Sequence, residues 1–324
     1  MSLTDAHGRR INYLRLSVTD RCNLRCRYCM PAEGVPKLSH HDILSFEDLY
    51  RIARQAVSLG LEKIRVTGGE PLVRKGVVGF CERLAAISGL KELVLTTNGM
   101  TLREFAVALR RAGVQRINIS LDSLKPETFA VITRGGDLQR ALDGMAAAEE
   151  AGFPPVKINM VVMRGINDDE VLDFAALTLG KAYTVRFIEY MPATLEPGWK
   201  SLCITGHEIL ARVGQRYRIQ PLGTTAGGPA ENFRIDGAAG TLGIITPISN
   251  HFCERCNRIR ITAAGLAKGC LFGAHGVDLK PYLAGGDDAL REILRQIATA
   301  KPARHGLNNP ELPHAPFTMA QIGG

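Results

Sequence analysis

The sequence lacks any apolar run that approaches the roughly eighteen residues of a membrane-spanning helix. Residues 1–20 also lack an apolar core of the signal-peptide type. Basic residues do not form runs, although 40 Lys and Arg against 32 Asp and Glu give a net charge of +8. These absences predict a cytoplasmic protein with no membrane and no nucleic acid as partner, and the excess positive charge favours a small anionic ligand.

A fourth cysteine is missing beside Cys22, Cys26 and Cys29, which follow one another at the spacing Cys-x3-Cys-x2-Cys. Structural zinc usually has four protein ligands, whereas a [4Fe-4S] cluster on three thiolates keeps one iron open. Arg25 and Arg27 stand between the thiols, and we expect their charge to favour thiolate over thiol. The spacing therefore predicts an iron–sulfur cluster with one open iron, and structural zinc or inert thiols are the alternative.

The middle of the chain alternates strand-like and helix-sized segments. We predict strands at 11–17, 63–67, 93–97, 116–120, 156–162 and 184–188. We predict helices at 45–59, 76–87, 101–112, 137–151 and 168–179. This alternation predicts an α/β fold with a parallel sheet, and six units point to a partial (β/α)6 TIM-type barrel. Catalytic groups are expected where the strands end: Gly69, Glu70, Thr96, Asn98, Ser120, Asp122, Lys157, Asn159, Glu189 and Met191.

Composition changes after Trp199, and the later part is rich in turns, with strands predicted at 216–220 and 241–245. We predict a core domain over 6–225 and a C-terminal α+β domain over 226–324 that closes the barrel mouth. The later domain carries a second set of three cysteines, Cys253-x2-Cys256-x13-Cys270. A zinc ribbon there would need a fourth ligand, for which His251 and His275 are candidates. Cys81 and Cys203 stand apart and are predicted to be small buried residues.

The first cysteine set, with the aromatic Tyr28 before its last member, resembles the signature of the radical S-adenosylmethionine (AdoMet) enzymes. Gly68-Gly69-Glu70-Pro71 is similar to their GGEP motif. The resemblance implies that AdoMet chelates the open iron and is cleaved to methionine and a 5′-deoxyadenosyl radical. It also implies a set of AdoMet contacts: Tyr28, Gly69, Glu70, Ser120 and Met191.

The whole chain resembles the GTP 3′,8-cyclase family of these enzymes, a family of lyases. The motifs that carry this resemblance are 96–99, 120–123, 189–192, 253–262, 270–272 and the terminal Gly323-Gly324. It implies a second [4Fe-4S] cluster on Cys253, Cys256 and Cys270. It also implies a set of GTP contacts: Arg15, Arg65, Thr96, Lys157, Arg258, Ile259 and Arg260. Alternation independently places Arg258 and Arg260 on one face of a strand.

The reaction implied is hydrogen abstraction from C3′ of GTP and attack of that carbon on C8, giving (8S)-3′,8-cyclo-7,8-dihydroguanosine 5′-triphosphate. This is the first step of molybdenum cofactor biosynthesis. Implied partners are a low-potential electron donor of the flavodoxin or ferredoxin type and a downstream cyclic pyranopterin monophosphate synthase, with a homodimer possible. Many members have a basic residue where this chain has Leu266, and Lys268 is the nearest cation.

The terminal glycine pair can enter a crowded pocket because it has no side chains, and the resemblance implies that Gly323 and Gly324 assist radical transfer; a frayed end is the alternative. Two other functions remain open at this stage. One is a different radical AdoMet enzyme with an auxiliary cluster, such as a peptide or sulfatase maturase. The other is a zinc-containing nucleic-acid binder.

Overall fold

A computed structural model describes residues 3–36, 38–39, 41–191, 198–224, 228–273, 276–306 and 319–323. Its strands form one sheet in the order β12-β11-β10-β1-β2-β3-β4-β5-β6-β9-β8-β7. The strands are β1 (Tyr13–Ser17), β2 (Lys63–Thr67), β3 (Glu92–Thr97), β4 (Arg116–Ser120), β5 (Lys157–Val162), β6 (Thr184–Glu189), β7 (Ile219–Thr224), β8 (Ala230–Ile235), β9 (Thr241–Ile245), β10 (Arg258–Ile261), β11 (Leu266–Lys268) and β12 (Val277–Asp278).

Helices lie between the central strands, and three more follow the last described strand. They are α1 (Phe46–Ser58), α2 (Val77–Ala85), α3 (Leu102–Arg111), α4 (Pro126–Thr133), α5 (Leu138–Glu150), α6 (Val171–Gly180), α7 (Trp199–Leu202), α8 (Gly206–Gly214), α9 (Lys280–Ala284), α10 (Gly286–Thr299) and α11 (Met319–Ile322). Within the described ranges, no helix is both long enough and apolar enough to cross a membrane.

The predicted parallel sheet is confirmed, and it extends further than predicted. The eight strands β10-β1-β2-β3-β4-β5-β6-β9 run parallel, with antiparallel strands outside them at both ends. Strands from the later part of the chain therefore flank the six predicted strands on both sides. The described sheet ends at β12 and β7 and is not closed by pairing. The barrel curvature, the closing role of the later segment and a domain boundary at 225/226 stay predictions.

Local sequence explains why α1 begins where it does. The Ser45 hydroxyl accepts a hydrogen bond from the Asp48 backbone N–H (3.0 Å), so Ser45 is the N-cap of the helix predicted over 45–59. The Asp48 carboxylate accepts from the Ser45 hydroxyl (2.8 Å), so it does not complete a reciprocal capping box through the backbone. A complete box begins α8, where Thr205 and Glu208 cap each other.

The two faces of the parallel sheet differ sharply in chemistry. On β1, Leu14 and Leu16 are fully buried in the apolar core that the helices cover. Alternate residues of β1, including Arg15, lie on the opposite face, where Arg65 of β2 is the register partner of Arg15. Arg260 of β10 is its partner on the other side. The sheet thus presents a charged interior surface that is shielded from the apolar core.

Candidate active site

One cavity of about 280 Å³ lies at the carboxyl ends of the parallel strands. Both cysteine sets line it, so two segments more than 200 residues apart in sequence face the same space. The lining also includes most of the polar residues predicted at strand ends: Gly69, Glu70, Thr96, Asn98, Ser120, Asp122, Asn159 and Met191. Of the remaining two, Lys157 is discussed below, and the buried Glu189 carboxylate accepts hydrogen bonds from the backbone N–H groups of Gly206 and Ile248.

The first cysteine loop is held by its own backbone and by the turn after α4. The Leu24 N–H lies 3.4 Å from Cys22 Sγ, and the Cys29 N–H donates to the Cys26 carbonyl (2.9 Å). The Arg134 guanidinium donates to the carbonyls of Arg25 (3.0 Å) and Met30 (2.8 Å). These contacts fix a compact loop whose three sulfurs face one cavity, as a cluster with three thiolate ligands requires.

The expected effect of Arg25 and Arg27 on these thiols was wrong. Both side chains are exposed, where water screens their charge. Burial instead raises the pKa of Cys22 to about 11 and that of Cys29 to about 12. The protein alone therefore favours thiols here, and an iron cluster would supply the positive charge that stabilises thiolates.

Gly68 and Gly69 pack directly against the backbone that leads into the cysteine loop. A Cβ on Gly69 would lie 2.4 Å from the Arg21 carbonyl oxygen, and one on Gly68 would lie 2.7 Å from that of Thr19. The Gly69 N–H donates to Thr19 O at 2.8 Å. Only glycine permits this approach, which brings the GGEP backbone beside the first cysteine set.

Glu70 lines the cavity, but its carboxylate is occupied by the protein itself. One oxygen accepts from the Leu72 N–H and from the Thr97 hydroxyl (2.8 Å), and the other accepts from the Asn98 N–H (2.7 Å). Burial raises its pKa to about 7. Glu70 therefore joins the ends of β2 and β3. Its carboxylate is better suited to hold the backbone of an AdoMet site in place than to contact AdoMet directly.

Tyr28 connects the cysteine loop to β4 and β5. Its hydroxyl donates to Asp122 Oδ2 (2.8 Å), while Asp122 Oδ1 accepts from the Val161 N–H (2.9 Å). Burial raises the pKa of Asp122 to about 6. Tyr28, Ser120 and Met191 all line the cavity, consistent with the positions expected of AdoMet contacts.

The second cysteine set lies in a cationic environment. Burial acts to raise the pKa of Cys256, but Arg258, Lys301 and Arg260 outweigh it and lower that pKa to about 6. The backbone N–H of His305 lies in hydrogen-bond contact with Cys253. Burial raises the pKa of Cys253, whereas the surroundings of Cys256 favour the thiolate, the form in which cysteine binds metal. Three cysteines that line one cavity, one of them beside several cations, fit an iron–sulfur cluster.

Several arginines also line the cavity: Arg15, Arg65, Arg186, Arg258 and Arg260. The Nε atoms of Arg65, Arg186 and Arg258 are buried without a hydrogen-bond partner in the part of the chain that the structure describes. In the same part, no carboxylate forms an ion pair with these three arginines. Burial, with Arg258 as the nearest like charge, lowers the pKa of Arg260 to about 10. Unmatched donors and mutual repulsion indicate a site built for an anion with several charges.

Among the other predicted GTP contacts, Arg15 and Thr96 line this cavity, and the buried Thr96 hydroxyl has no partner among the described residues. Lys157 does not line it; it is half-buried at the first position of β5, where burial and nearby Arg186 lower its pKa to about 7. The Ile259 side chain is 1% exposed and belongs to the apolar core, on the face of β10 opposite Arg258. Only its backbone could contact a ligand in the cavity.

The described part of the C-terminal tail contacts both the first cysteine loop and Arg260. The Met319 N–H donates to the Cys29 carbonyl (3.1 Å), and the Ala320 N–H contacts the Cys29 thiol. Arg260 Nη1 donates to the Gly323 carbonyl (3.3 Å). A Cβ on Gly323 would lie 2.9 Å from Ser17 Cβ, so a glycine is needed there. Gly324 lies outside the described residues.

Some of the remaining predictions concern residues outside the cavity. Lys268 is the register partner of Arg260 and lies beside it across β10 and β11. Cys81 is fully buried in the core, as predicted, whereas Cys203 is only partly buried and donates to the Tyr190 carbonyl (3.3 Å). His275 lies outside the described residues. Among the described residues, no three His, Cys, Asp or Glu side chains are grouped as ligands of a metal ion, and this holds for both cysteine sets as well as for a zinc site.

The sequence interpretation missed three residues that the structure places at the site. Arg186 lines the cavity from β6. Residues two positions apart on a strand share a face, and Ile188 of the same predicted strand also lines the cavity, so alternation could have indicated Arg186. Phe272 and His305 also line it. His305 comes from an irregular segment without a motif, and no sequence signal marks it.

Comparisons with known proteins agree with this geometry. Residues 16–178 match the model of the Radical SAM superfamily, and residues 183–307 match Molybdenum Cofactor Synthesis C. A GTP 3′,8-cyclase of Geobacter sulfurreducens is 63% identical, with both chains fully covered. One from Moorella thermoacetica is 47% identical over 99% of this chain and 100% of its own. The solved structure of Streptococcus suis SuiB bound to precursor peptide SuiA shares the fold, with a TM-score of 0.64 and 13% identity over 94% of this chain and 68% of that one.

Proposed function

Because this chain belongs to the GTP 3′,8-cyclase family of the radical SAM superfamily, we propose that it cyclises GTP inside the cavity that both cysteine sets line. The activity is the AdoMet-dependent first step of molybdenum cofactor biosynthesis, and the family carries a [4Fe-4S] cluster with AdoMet and an additional iron–sulfur cluster. Family membership over the full length favours this function over a peptide or sulfatase maturase.

Cys22, Cys26 and Cys29 would hold the first cluster, with AdoMet between Gly69, Ser120 and Met191. Cys253, Cys256 and Cys270 would hold the second cluster, with GTP between it and the arginines. When bound, the first cluster and AdoMet supply the radical chemistry that removes hydrogen from the ribose. The protein supplies orientation in a buried space from which water is displaced.

The buried arginines carry the substrate assignment. Arginine forks pair with phosphate oxygens through two hydrogen bonds, and Arg65, Arg186 and Arg258 each keep an unused buried donor. A triphosphate would satisfy these donors and offset their repulsion. Arg260 would serve both the phosphates and the tail, through its contact with the Gly323 carbonyl. An electron donor of the flavodoxin or ferredoxin type and the downstream synthase complete the proposed pathway.

The direct test is anaerobic turnover with AdoMet, a reductant and GTP carrying deuterium at C3′. We expect one deuterium in the 5′-deoxyadenosine, measured by mass spectrometry, and loss of GTP to a cyclised nucleotide. Unlabelled 5′-deoxyadenosine with intact GTP would refute the proposal. A peptide substrate in place of GTP serves as the control and should give no product.

A further inference from the structure

Lys301 is a buried lysine that no step described above uses. It follows the C-terminal end of α10 and is 3% exposed. Its Nζ donates to the Arg258 carbonyl (2.7 Å) and to the Gly269 carbonyl (2.5 Å), and it lies 3.7 Å from Cys256 Sγ. An ammonium group has three N–H donors and no acceptor. The three contacts match the three donors of an ammonium group.

The three partners of Lys301 belong to the two segments that carry the second cysteine set. Arg258 follows Cys256 by two residues, and the Gly269 carbonyl belongs to the peptide bond that precedes Cys270. These segments are separated in sequence by the β10–β11 hairpin. A single ammonium group therefore fixes the backbone beside Cys256 relative to the backbone beside Cys270.

The packing around the lysine stem is equally specific. A Cβ on Gly269 would lie 2.9 Å from Lys301 Cγ and 3.3 Å from the Ile297 carbonyl oxygen. Gly269 is thus the residue that leaves room for the stem. Ile297 and Ala298 of α10 are buried in the core, so the helix anchors the lysine against the rest of the protein.

We propose that Lys301 is the positioning residue of the second iron–sulfur cluster: it holds the two cysteine segments at the spacing the cluster needs and donates a charged hydrogen bond to the Cys256 sulfur. The inference rests on the proposal that Cys253, Cys256 and Cys270 hold that cluster. A cation and a hydrogen bond at a ligand sulfur stabilise the reduced, more negative cluster. Lys301 therefore raises the reduction potential of the second cluster and not that of the first.

The test compares anaerobically reconstituted holoenzyme with the variants Lys301→Met and Lys301→Arg. Iron and sulfide are measured per chain, and the reduced clusters are titrated by electron paramagnetic resonance. The first cluster is identified as the signal that changes on addition of AdoMet. Arg295→Gln is the matched control, because Arg295 lies on the same helix, is exposed and pairs with Glu292 at the surface.

In Lys301→Met we expect one of two results that only the second cluster shows. Either its reduced-to-oxidised ratio at a fixed potential falls at least tenfold, which is about 59 mV for one electron, or iron falls from about eight to about four per chain. The AdoMet-responsive signal stays as in the parent protein. Lys301→Arg moves the potential back toward the parent value, and Arg295→Gln changes nothing.

A full iron content with an unchanged second signal in Lys301→Met would overturn the inference, as would an equal effect of Arg295→Gln. Should Lys301→Met fail to fold, Gly269→Ala supplies the same test, because its methyl group displaces the lysine stem. A normal second cluster in Gly269→Ala would then count against the inference. If the parent protein holds only one cluster, the proposed second site itself fails.

Discussion

Removal of the Arg258 side chain should weaken substrate binding without destabilising the fold. Arg258 is buried among Arg260 and other cations, and no carboxylate in the described structure pairs with it. Its loss in Arg258→Ala removes a charge-assisted pairing with the GTP phosphates worth about 1.5–3 kcal/mol. At 1.4 kcal/mol for each factor of ten, the affinity for GTP should fall about 10- to 100-fold. AdoMet affinity should hardly change.

The same substitution should not destabilise the protein without GTP. An ordinary buried arginine is held by an acidic partner, and its removal leaves an unpaired charge that costs several kcal/mol. Here the change removes one of several like charges, so the repulsion among those that remain falls. We expect the unfolding midpoint of the ligand-free protein to stay within a few degrees of the parent or to rise.

The assay is anaerobic titration calorimetry with GTP and with AdoMet, together with thermal unfolding. Arg218→Ala is the matched control, since the Arg218 side chain is 86% exposed and pairs with Asp236 at the surface. If the affinities for GTP and AdoMet fall equally, or if the unfolding midpoint drops sharply while GTP still binds, Arg258 is structural and the reasoning is wrong.

Three further predictions concern Lys157, Arg134 and the C-terminal glycine pair. The pKa of Lys157 is about 7 because of burial, and repulsion from Arg186, Arg116, Lys63 and Arg65 adds to the shift. We expect bound phosphates to raise this pKa, so GTP binding should take up about one proton at pH 8. GTP affinity should therefore weaken as the pH rises above 7. Calorimetry in two buffers of different ionisation enthalpy measures this uptake, and an equal uptake in Lys157→Met would exclude the residue. Arg134 has a left-handed backbone (φ 55°), which costs about 1–3 kcal/mol in a non-glycine residue. Glycine adopts this conformation without strain, so Arg134→Gly should fold as stably as the parent, yet release first-cluster iron to a chelator several-fold faster because the guanidinium contacts are lost. An unchanged rate of iron release would contradict a role of the guanidinium. Deletion of 323–324 should leave both clusters and GTP binding intact while cyclised product is lost, and full turnover by the truncated protein would show the tail to be dispensable.

Much of the central fold could be predicted because its signals are local. The bounds of β2, β4 and β9 agree with the predicted ranges 63–67, 116–120 and 241–245. The helix α4 was missed because its eight residues include Val131, Ile132 and Thr133, which are β-branched and favour strands. Pro126 and Glu127 in its first turn are helix signals, but they are short and local.

The pairing of distant strands could not be predicted. Neither β9 beside β6 nor β10 beside β1 has a signal in sequence, because both pairings join segments far apart in the chain. These two pairings bring the later cysteines and Arg258 to the cavity. The motifs thus indicated which residues matter, and non-local packing decided how they meet.

Single residues show the same limit. Alternation along β10 puts Ile259 on the face opposite Arg258, so periodicity alone argued against a GTP contact through its side chain. Lys301 stands in an unremarkable segment and would be taken for a surface lysine. Its burial depends on Gly269, more than thirty residues earlier in the chain.

The division of one cavity between two cysteine sets is the central claim, and equilibrium binding of AdoMet and GTP to two triple variants tests it most directly. Replacing Cys22, Cys26 and Cys29 with Ala should abolish AdoMet binding, halve the iron and leave GTP binding in place. Replacing Cys253, Cys256 and Cys270 with Ala should weaken GTP binding, halve the iron and leave AdoMet binding in place. Loss of both ligands from both variants, or tetrahedral zinc at either set, would contradict the account.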